Sequence, residues 1–236
     1  MRVLACSDVH LDHVTLGVPR NKELRAAMTR TLVAAVEEEI DLYIFAGDLC
    51  DPDSGVSVFR CVETAIMVSR QLAYKGIASI WLAGNHDVIE DGSGDTTLTP
   101  MRHLGDQRIT VAEQPGLYCQ GRVLALPFTA TSHAYNAEEF VNEIDASPSI
   151  VIAHLSVRGI IPGEETTEMP RGRDIDLPVE AIHKRWPDAL IIQGHYHRQQ
   201  VFRHTCGAEV HIPGSLARLT FGEENHTPGY MMFEVT

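Results

Sequence analysis

Residues 41–51 read DLYIFAGDLCD, an apolar run that ends in a glycine and leads into two aspartates. The run is short and has no polar alternation, which is typical of a strand buried on both faces. Comparable runs at 2–7 and 77–83 lie on either side of it along the chain. The three runs predict neighbouring buried strands, each of which leads directly into polar residues.

Two amphipathic stretches separate these strands. Residues 21–40 repeat apolar side chains at helical spacing, and residues 57–75 do the same before they end at Gly76. An order of strand, helix, strand, helix and strand predicts parallel strands that are joined by crossover helices. We therefore expect the first part of the chain to form an α/β fold.

The rest of the chain continues the alternation less regularly. Strands are expected in RITVA, GRVLALPF, SIVIAHLSV and DALIIQGHYH, and helices near 137–145 and 178–186. The final segments QQVFRH, AEVHIPG and GYMMFEV are expected to form an antiparallel end to a sheet. Residues 157–178, which are rich in Gly, Pro, Glu and Thr, predict a long functional loop. The predicted fold class is α/β with mixed sheets, in a single domain over residues 1–236.

Composition limits the classes of partner. The chain has 32 acidic and 19 basic residues and a formal net charge of −13, which argues against a general basic surface for nucleic-acid backbones or anionic membranes. No apolar run approaches the roughly 20 residues of a membrane span, and no secretory signal is visible. The five cysteines show no CxxC spacing, which favours free thiols in a reducing compartment. We expect a cytoplasmic protein without a membrane partner, and no protein partner is evident.

The strand exits carry residue types that bind metal ions. In open α/β sheets, ligands bind where loops leave the carboxyl ends of the strands. Five exits supply, in chain order, Asp8 and His10; Asp48 and Asp51; Asn85, His86 and Asp87; His154; and His195 and His197. One such residue is usually a cap or turn residue, but five exits in succession are difficult to explain as turns. Carboxylates and imidazoles gathered at one edge require a cation.

The types of ligand narrow the choice of metal. Imidazole with carboxylate and amide oxygen, and without thiolate, suits Mn²⁺, Fe²⁺ or Zn²⁺ rather than Ca²⁺. Seven of the residues at the strand exits are candidate ligands, which exceeds the need of one ion and suffices for two ions that share a carboxylate. They are Asp8, His10, Asp48, Asn85, His154, His195 and His197. Two-metal sites of this kind hydrolyse phosphate esters. In GHYH, alternation along an extended segment places His195 and His197 on one side and Tyr196 on the other.

The motifs DVH, GDLCD, GNHD, a single histidine after a strand, and GHYH resemble, in the same order, those of the calcineurin-like metallophosphoesterases. The resemblance extends from Asp8 to His197 and implies a four-layer αββα sandwich with two divalent cations, of which manganese is expected and iron or zinc are alternatives. It implies that one cation is held by Asp8, His10, Asp48 and His197, and the other by Asp48, Asn85, His154 and His195. His86 would lie beside the pair as the acid or the phosphate-contacting group.

Within that family, SDVHLD, HLSV and IPGSLARLTFGEENHTPGY are similar to the SbcD-type DNA-repair nucleases, although from its length of 236 residues we expect the chain to lack their DNA-capping region. We predict a binuclear metal-dependent phosphodiesterase in which metal-activated hydroxide attacks nucleotide-type phosphodiesters. Its substrate would be a cyclic nucleotide or a short or single-stranded nucleic acid. A phosphomonoesterase, including a protein phosphatase, with the same metal centre and a non-catalytic scaffold are the alternatives.

Several other residues are candidates for roles near this centre. His86 is predicted to protonate the leaving oxygen, and Asp87 or Asp51 to orient it, so His86 and Asp87 are the predicted catalytic residues. His13 shares the first motif loop and is a candidate substrate contact. Candidate phosphate contacts are the arginines Arg158, Arg198 and Arg218, because a guanidinium group can bind phosphate through two hydrogen bonds.

Overall fold

A computed structural model describes residues 1–160 and 175–236 of the chain. Within these residues the strands are β1 Arg2–Cys6, β2 Val14–Thr15, β3 Val18–Pro19, β4 Leu42–Phe45, β5 Ala78–Leu82, β6 Ile109–Ala112, β7 Gly116–Tyr118, β8 Val123–Leu126, β9 Ile150–Ala153, β10 Leu190–Gln193, β11 Gln200–Arg203, β12 Glu209–Ile212 and β13 Met231–Glu234. The α-helices are α1 Asn21–Glu37, α2 Val56–Tyr74, α3 Ala137–Glu143 and α4 Val179–Arg185.

The longer strands form two mixed sheets. The first has the order β13-β1-β4-β5-β6, in which β1, β4, β5 and β6 run parallel. The second has the order β11-β12-β10-β9-β8-β7, in which the four central strands run parallel and the two edge strands are antiparallel to their neighbours. Strands β2 and β3 form a separate short hairpin. The predicted parallel β1-α1-β4-α2-β5 unit is confirmed.

Alternate residues of each strand face different apolar layers. Tyr43 and Trp81 pack on the side of α1 and α2, whereas Ile44 and Ile80 face the second sheet. In the second sheet, residues of β9 divide in the same way between the inner layer and the layer that contacts α3 and α4. The order of layers is therefore helix, sheet, sheet and helix, which confirms the predicted αββα sandwich as a single domain.

The prediction of one antiparallel end formed by the last three segments is wrong in part. Strand β12 runs parallel to β10 and antiparallel to β11 at the edge of the second sheet. Strand β13 instead joins the first sheet and pairs antiparallel with β1, where Arg2 lies opposite Glu234. This pairing satisfies backbone groups of β1 that would otherwise form an open edge. The amphipathic pattern of β13 gives no information about which sheet it completes.

The helices follow the predicted positions with small differences at their ends. Helix α1 ends at Glu37 rather than at residue 40, and Glu39 then takes a left-handed backbone with φ of 51°. Helix α3 is capped at its N-terminus by Asn136, whose side-chain oxygen accepts hydrogen bonds from two backbone amides of the first turn. Most of the predicted loop 157–178 lies outside the described residues. None of the helices within the described ranges is long and apolar enough to cross a membrane.

Candidate metal centre

The predicted ligands from both sheets meet at one place. Ligand atoms within 4.8 Å of one another form three overlapping groups, which are Asp8, His10 and His197; Asp48, His154 and His195; and His10, Asp48 and His86. Asn85 joins the second group, because its Oδ1 lies 3.1 Å from His154 Nε2 and 3.0 Å from His195 Nδ1. The structure thus brings together all seven residues that were predicted to bind metal.

Asp48 lies between two groups of ligands, one formed by Asp8, His10 and His197 and the other by His154, His195 and Asn85. Its Oδ2 is 3.2 Å from His154 Nε2 and 3.6 Å from His10 Nε2. Its Oδ1 accepts a hydrogen bond of 2.9 Å from the backbone amide of His86. One carboxylate oxygen therefore faces ligands of both groups, which is the position that a bridging carboxylate between two cations requires.

Asp8 provides the test of whether these residues fit a cation. The side chain is fully buried, and neither carboxylate oxygen has a hydrogen-bond partner in the described part of the chain. His10 Nε2, which belongs to the same group, is also buried without a partner there. A buried carboxylate without a partner is costly unless a cation compensates its charge. The donor set of Asp8, His10 and His197 fits a divalent metal ion in both charge and chemistry.

Two of the histidines are oriented by hydrogen bonds on the side away from the centre. His154 Nδ1 donates to the carbonyl oxygen of Ala46 at 2.7 Å, and His197 Nδ1 donates to Oε1 of Glu223 at 2.7 Å. Histidines that bind metals usually donate the other ring N–H in this way, which fixes the tautomer and the orientation of the ring. In both residues Nε2 is left as the nitrogen that can bind a cation.

Four of the eight described non-glycine residues with left-handed backbone are predicted ligands. Asp8, His10, Asp48 and His195 all have left-handed φ values, between 42° and 73°. Residues other than glycine rarely adopt this conformation, and it costs about 1–3 kcal/mol at each position. The backbone amides of Asp8 and His10 donate hydrogen bonds to the carbonyl oxygens of Gly47 and Asp48, respectively. Hydrogen bonds between the first two strand exits therefore offset part of the cost of this strain.

Three glycines allow the two sheets to approach at the centre. A Cβ atom on Gly47 would lie 2.1 Å from His154 Nδ1, and one on Gly84 would lie 2.2 Å from Asp48 Oδ1. A Cβ atom on Gly194 would lie 2.0 Å from the carbonyl oxygen of Ala46. Each distance is far below van der Waals contact, so no side chain fits at these three positions.

The charges at the centre depend on one another. Burial raises the pKa of Asp8. Burial acts in the same direction on Asp48, but the positive charge of His154 outweighs it and holds the pKa of that carboxyl well below its usual range. Burial disfavours a charge on His154, yet Asp48 raises the pKa of that imidazole to about 9. Burial, together with charged His154, lowers the pKa of His195 to about 3. Asp48 and His154 therefore stabilise each other's charged forms.

Asp87 supports the loops and has no described contact with the His86 ring. Its carboxylate accepts hydrogen bonds from four backbone amides, those of Asp48, Leu49, Cys50 and Gly84, and from the hydroxyl of Thr97. Burial and the charge of Asp48 raise the pKa of Asp87 to about 6. The predicted catalytic role of Asp87 gains no support from these contacts, and we assign it to positioning the ligand loops. Asp51 is the carboxylate near His86, with its Oδ2 3.7 Å from Nδ1.

The three candidate arginines contribute little to the described centre. Arg158 forms an ion pair with Asp176, and its side chain is 86% exposed. Arg218 donates through Nε to the carbonyl oxygen of His226, and Arg198 is exposed. Sequence reasoning gave no role to Glu223, the buried carboxylate that accepts a hydrogen bond from His197. Glu223 lies in the segment that resembles the SbcD-type nucleases, and that resemblance was the one signal that could have distinguished it from Glu224.

The shared aspartate and the two groups of ligands define a candidate binuclear metal centre at the edge of an αββα sandwich. The chain belongs to the calcineurin-like phosphoesterase family, whose model matches residues 1–211. Members of this family are metal-dependent phosphoester hydrolases with a dimetal centre, and the His and Asp groups described above could hold such a pair.

Individual proteins resemble the chain at a lower level. The DNA double-strand break repair protein Mre11 of Saccharolobus solfataricus is 24% identical over an alignment of 199 residues that covers 79% of this chain and 50% of that protein. The chain thus spans about half the length of this curated relative. A dimetal phosphatase from Danio rerio has the same fold, with a TM-score of 0.56 at 10% identity, covering 98% of this chain and 91% of its own. A purple acid phosphatase from yellow lupin (Lupinus luteus) seeds gives a TM-score of 0.45 at 16% identity, covering 85% of this chain and 38% of that protein.

Gly47→Ala is expected to disrupt the junction between the sheets. The backbone of Gly47 has φ of 100° and that of Gly76 has φ of 83°, but only at Gly47 would a Cβ atom meet another residue. Gly76→Ala should therefore cost only the left-handed strain, about 1–2 kcal/mol. Gly47→Ala should cost about 1–3 kcal/mol more, because the His154 ring must move. Urea unfolding of the metal-free variants measures both values, and equal losses would contradict the proposed clash.

Asp87→Asn tests whether Asp87 positions the loops or takes part in the chemistry. The amide nitrogen cannot accept hydrogen bonds, so at least one of the backbone amides should be left buried and unpaired, at a cost of about 1–3 kcal/mol for each such group. We expect a lower free energy of unfolding for the metal-free protein in urea. Unchanged stability together with a large loss of turnover would instead support the catalytic assignment.

Proposed function

We propose that the chain is a binuclear phosphodiesterase that hydrolyses nucleotide-type phosphodiester bonds. The observation that carries the proposal is the position of Asp48. Its Oδ2 faces both groups of ligands, and its Oδ1 accepts a hydrogen bond from the backbone amide of His86. This geometry places a candidate proton donor next to a centre suited to two cations. Metal pairs of this kind are used for in-line displacement at phosphorus.

The residues that would hold the cations follow from the two groups. Asp8, His10, Asp48 and His197 would hold one, and Asp48, Asn85, His154 and His195 the other. Two divalent cations, which we propose to be manganese, would supply Lewis acidity at the phosphoryl oxygens and lower the pKa of water. The mixed set of imidazole, carboxylate and amide oxygen supports manganese and also suits iron or zinc.

His86 is the residue that we assign to proton transfer. Its ring is 31% exposed and makes an edge contact with the ring of His10, with centroids 4.9 Å apart. It is therefore beside the ligands and still accessible to a substrate. When protonated, the ring can donate to the leaving oxygen as that bond breaks, a role that general acids fill in many hydrolases. Asp51 lies 3.7 Å from Nδ1 and can orient the ring.

The choice of a diester substrate rests on likeness and charge. The similarity to SbcD-type nucleases and the match to a protein named for DNA double-strand break repair both favour a nucleic-acid or nucleotide substrate. The net charge of −13 favours a cyclic nucleotide or a short or single-stranded nucleic acid over a long duplex. All five cysteines are free, which fits the cytoplasm as the proposed compartment.

His86→Ala should retain two metal ions per chain and lose turnover. We expect kcat to fall by roughly 10²- to 10⁴-fold, the usual contribution of a general acid. Metal content measured by mass spectrometry and kcat measured on a chromogenic diester give the two readouts. His103→Ala is the control, because His103 is an exposed histidine away from the strand exits. Loss of one metal ion from the His86 variant would instead identify His86 as a ligand.

A panel of substrates tests the proposed reaction. Protein stripped with a chelator and reloaded with Mn²⁺ is assayed on bis-p-nitrophenyl phosphate and p-nitrophenyl phosphate, on 2′,3′- and 3′,5′-cyclic nucleotides, and on labelled single- and double-stranded DNA. We expect higher kcat/KM on the diester than on the monoester, no activity in the stripped protein, and preference for cyclic or single-stranded substrates. A clear preference for the monoester would overturn the proposal in favour of a phosphatase.

A further inference from the structure

Glu223 is a buried carboxylate that lies beyond the strand exits and outside the seven predicted ligands. Its side chain is 0% exposed. Oε1 accepts a hydrogen bond of 2.7 Å from His197 Nδ1, and Oε2 accepts one of 2.6 Å from the backbone amide of Leu219. Both oxygens are therefore committed, one to a predicted metal ligand and the other to the turn that carries Glu223 itself.

Because Glu223 is buried, its carboxylate needs hydrogen-bond donors. An ionised carboxylate is costly to bury unless each oxygen is paired. The hydrogen bonds from His197 and Leu219 offset this cost, one at each carboxylate oxygen. The carboxylate and the Nδ1–H of His197 thus stabilise each other, and the ring is held with Nε2 toward Asp8 and His10.

The turn that carries Glu223 is itself fixed from the other side. The carbonyl oxygen of Leu219 accepts hydrogen bonds from the hydroxyl of Thr15 at 2.8 Å and from Arg20 at 3.4 Å. Arg20 also donates to the carbonyl oxygen of Arg218 at 3.0 Å. The β2–β3 hairpin and the start of α1 therefore set where the carboxylate of Glu223 lies, rather than leaving it on a free loop.

The two groups of ligands differ in the kind of hydrogen-bond acceptor that orients a histidine. His154 is oriented by a neutral backbone carbonyl, that of Ala46, whereas His197 is oriented by an ionised side chain. A carboxylate on Nδ1 fixes the tautomer and makes the opposite nitrogen a better electron donor to a cation. Loss of Glu223 should therefore affect the cation held by Asp8, His10 and His197 and leave the other group intact.

We propose that Glu223 is a positioning residue that selectively sets the affinity for the cation bound by Asp8, His10 and His197, by fixing the Nδ1-protonated tautomer of His197. The proposal rests on the proposed binuclear centre. It adds a residue outside that centre and predicts an unequal response of the two cation sites to a single substitution.

The test compares Glu223→Gln and Glu223→Ala with Glu224→Gln, which removes the charge of an exposed neighbour. Metal-free proteins are titrated with Mn²⁺ by calorimetry, and thermal unfolding reports whether each variant is folded. We expect one of the two binding steps to weaken roughly 10- to 100-fold, more for Ala than for Gln, while the other step and the Glu224 variant stay unchanged. Equal weakening of both steps, or of neither, would overturn the proposal. If the Ala variant fails to fold, the Gln variant decides the question.

The tautomer of His197 provides a readout that needs no metal ion. Long-range ¹H–¹⁵N spectra of metal-free protein at alkaline pH, where the ring is neutral, with His197 assigned by comparison with His197→Gln, should show a ring protonated on Nδ1 alone in the natural chain and in Glu224→Gln. Glu223→Ala should lose that signature, and its retention would overturn the proposal. A natural chain that binds fewer than two Mn²⁺ ions would contradict the proposed function, whereas the spectra would still judge the contact between Glu223 and His197.

Discussion

The hydrogen bond from His154 Nδ1 to the carbonyl oxygen of Ala46 is the contact on which the centre depends. His154 follows β9 of the second sheet, and Ala46 follows β4 of the first, so this bond joins the two sheets where their strands end. It requires the sheets to approach so closely that Gly47, Gly84 and Gly194 have no space for a Cβ atom. Once the ring is in place, its Nε2 meets Asp48 and Asn85, and the second group of ligands is complete.

This close approach has an energetic cost that the rest of the fold must offset. Left-handed backbone at four predicted ligands and a buried, unpaired Asp8 are each destabilising. The stabilising part comes from three continuous apolar layers and from the hydrogen bonds that Asp87 accepts from the loops of the second and third exits. A protein of ordinary stability retains such strain where function requires it, and here four of the eight described non-glycine residues with left-handed φ are candidate ligands at one site.

Much of the fold and of the candidate site could be predicted from the sequence, because both depend on local sequence patterns. Buried strands, crossover helices and polar strand exits can all be recognised within short windows of sequence, so the parallel core and the meeting of the seven candidate ligands could be predicted. Features that depend on tertiary contacts could not. Strand β13 has the same pattern whichever sheet it joins, Asp87 faces backbone amides that no motif specifies, and Glu223 differs from Glu224 only in what lies around it.

The two groups of ligands also differ in which part of the chain completes them. The group containing His154 is built entirely from strand exits and a backbone carbonyl within residues 1–211, the part that matches the family. The group containing His197 also uses Glu223, which follows that part and is held by the β2–β3 hairpin and the start of α1. A backbone carbonyl survives any substitution, but a side-chain carboxylate does not. The orientation of His154 is therefore set by the backbone, whereas the orientation of His197 depends on the sequence of one turn.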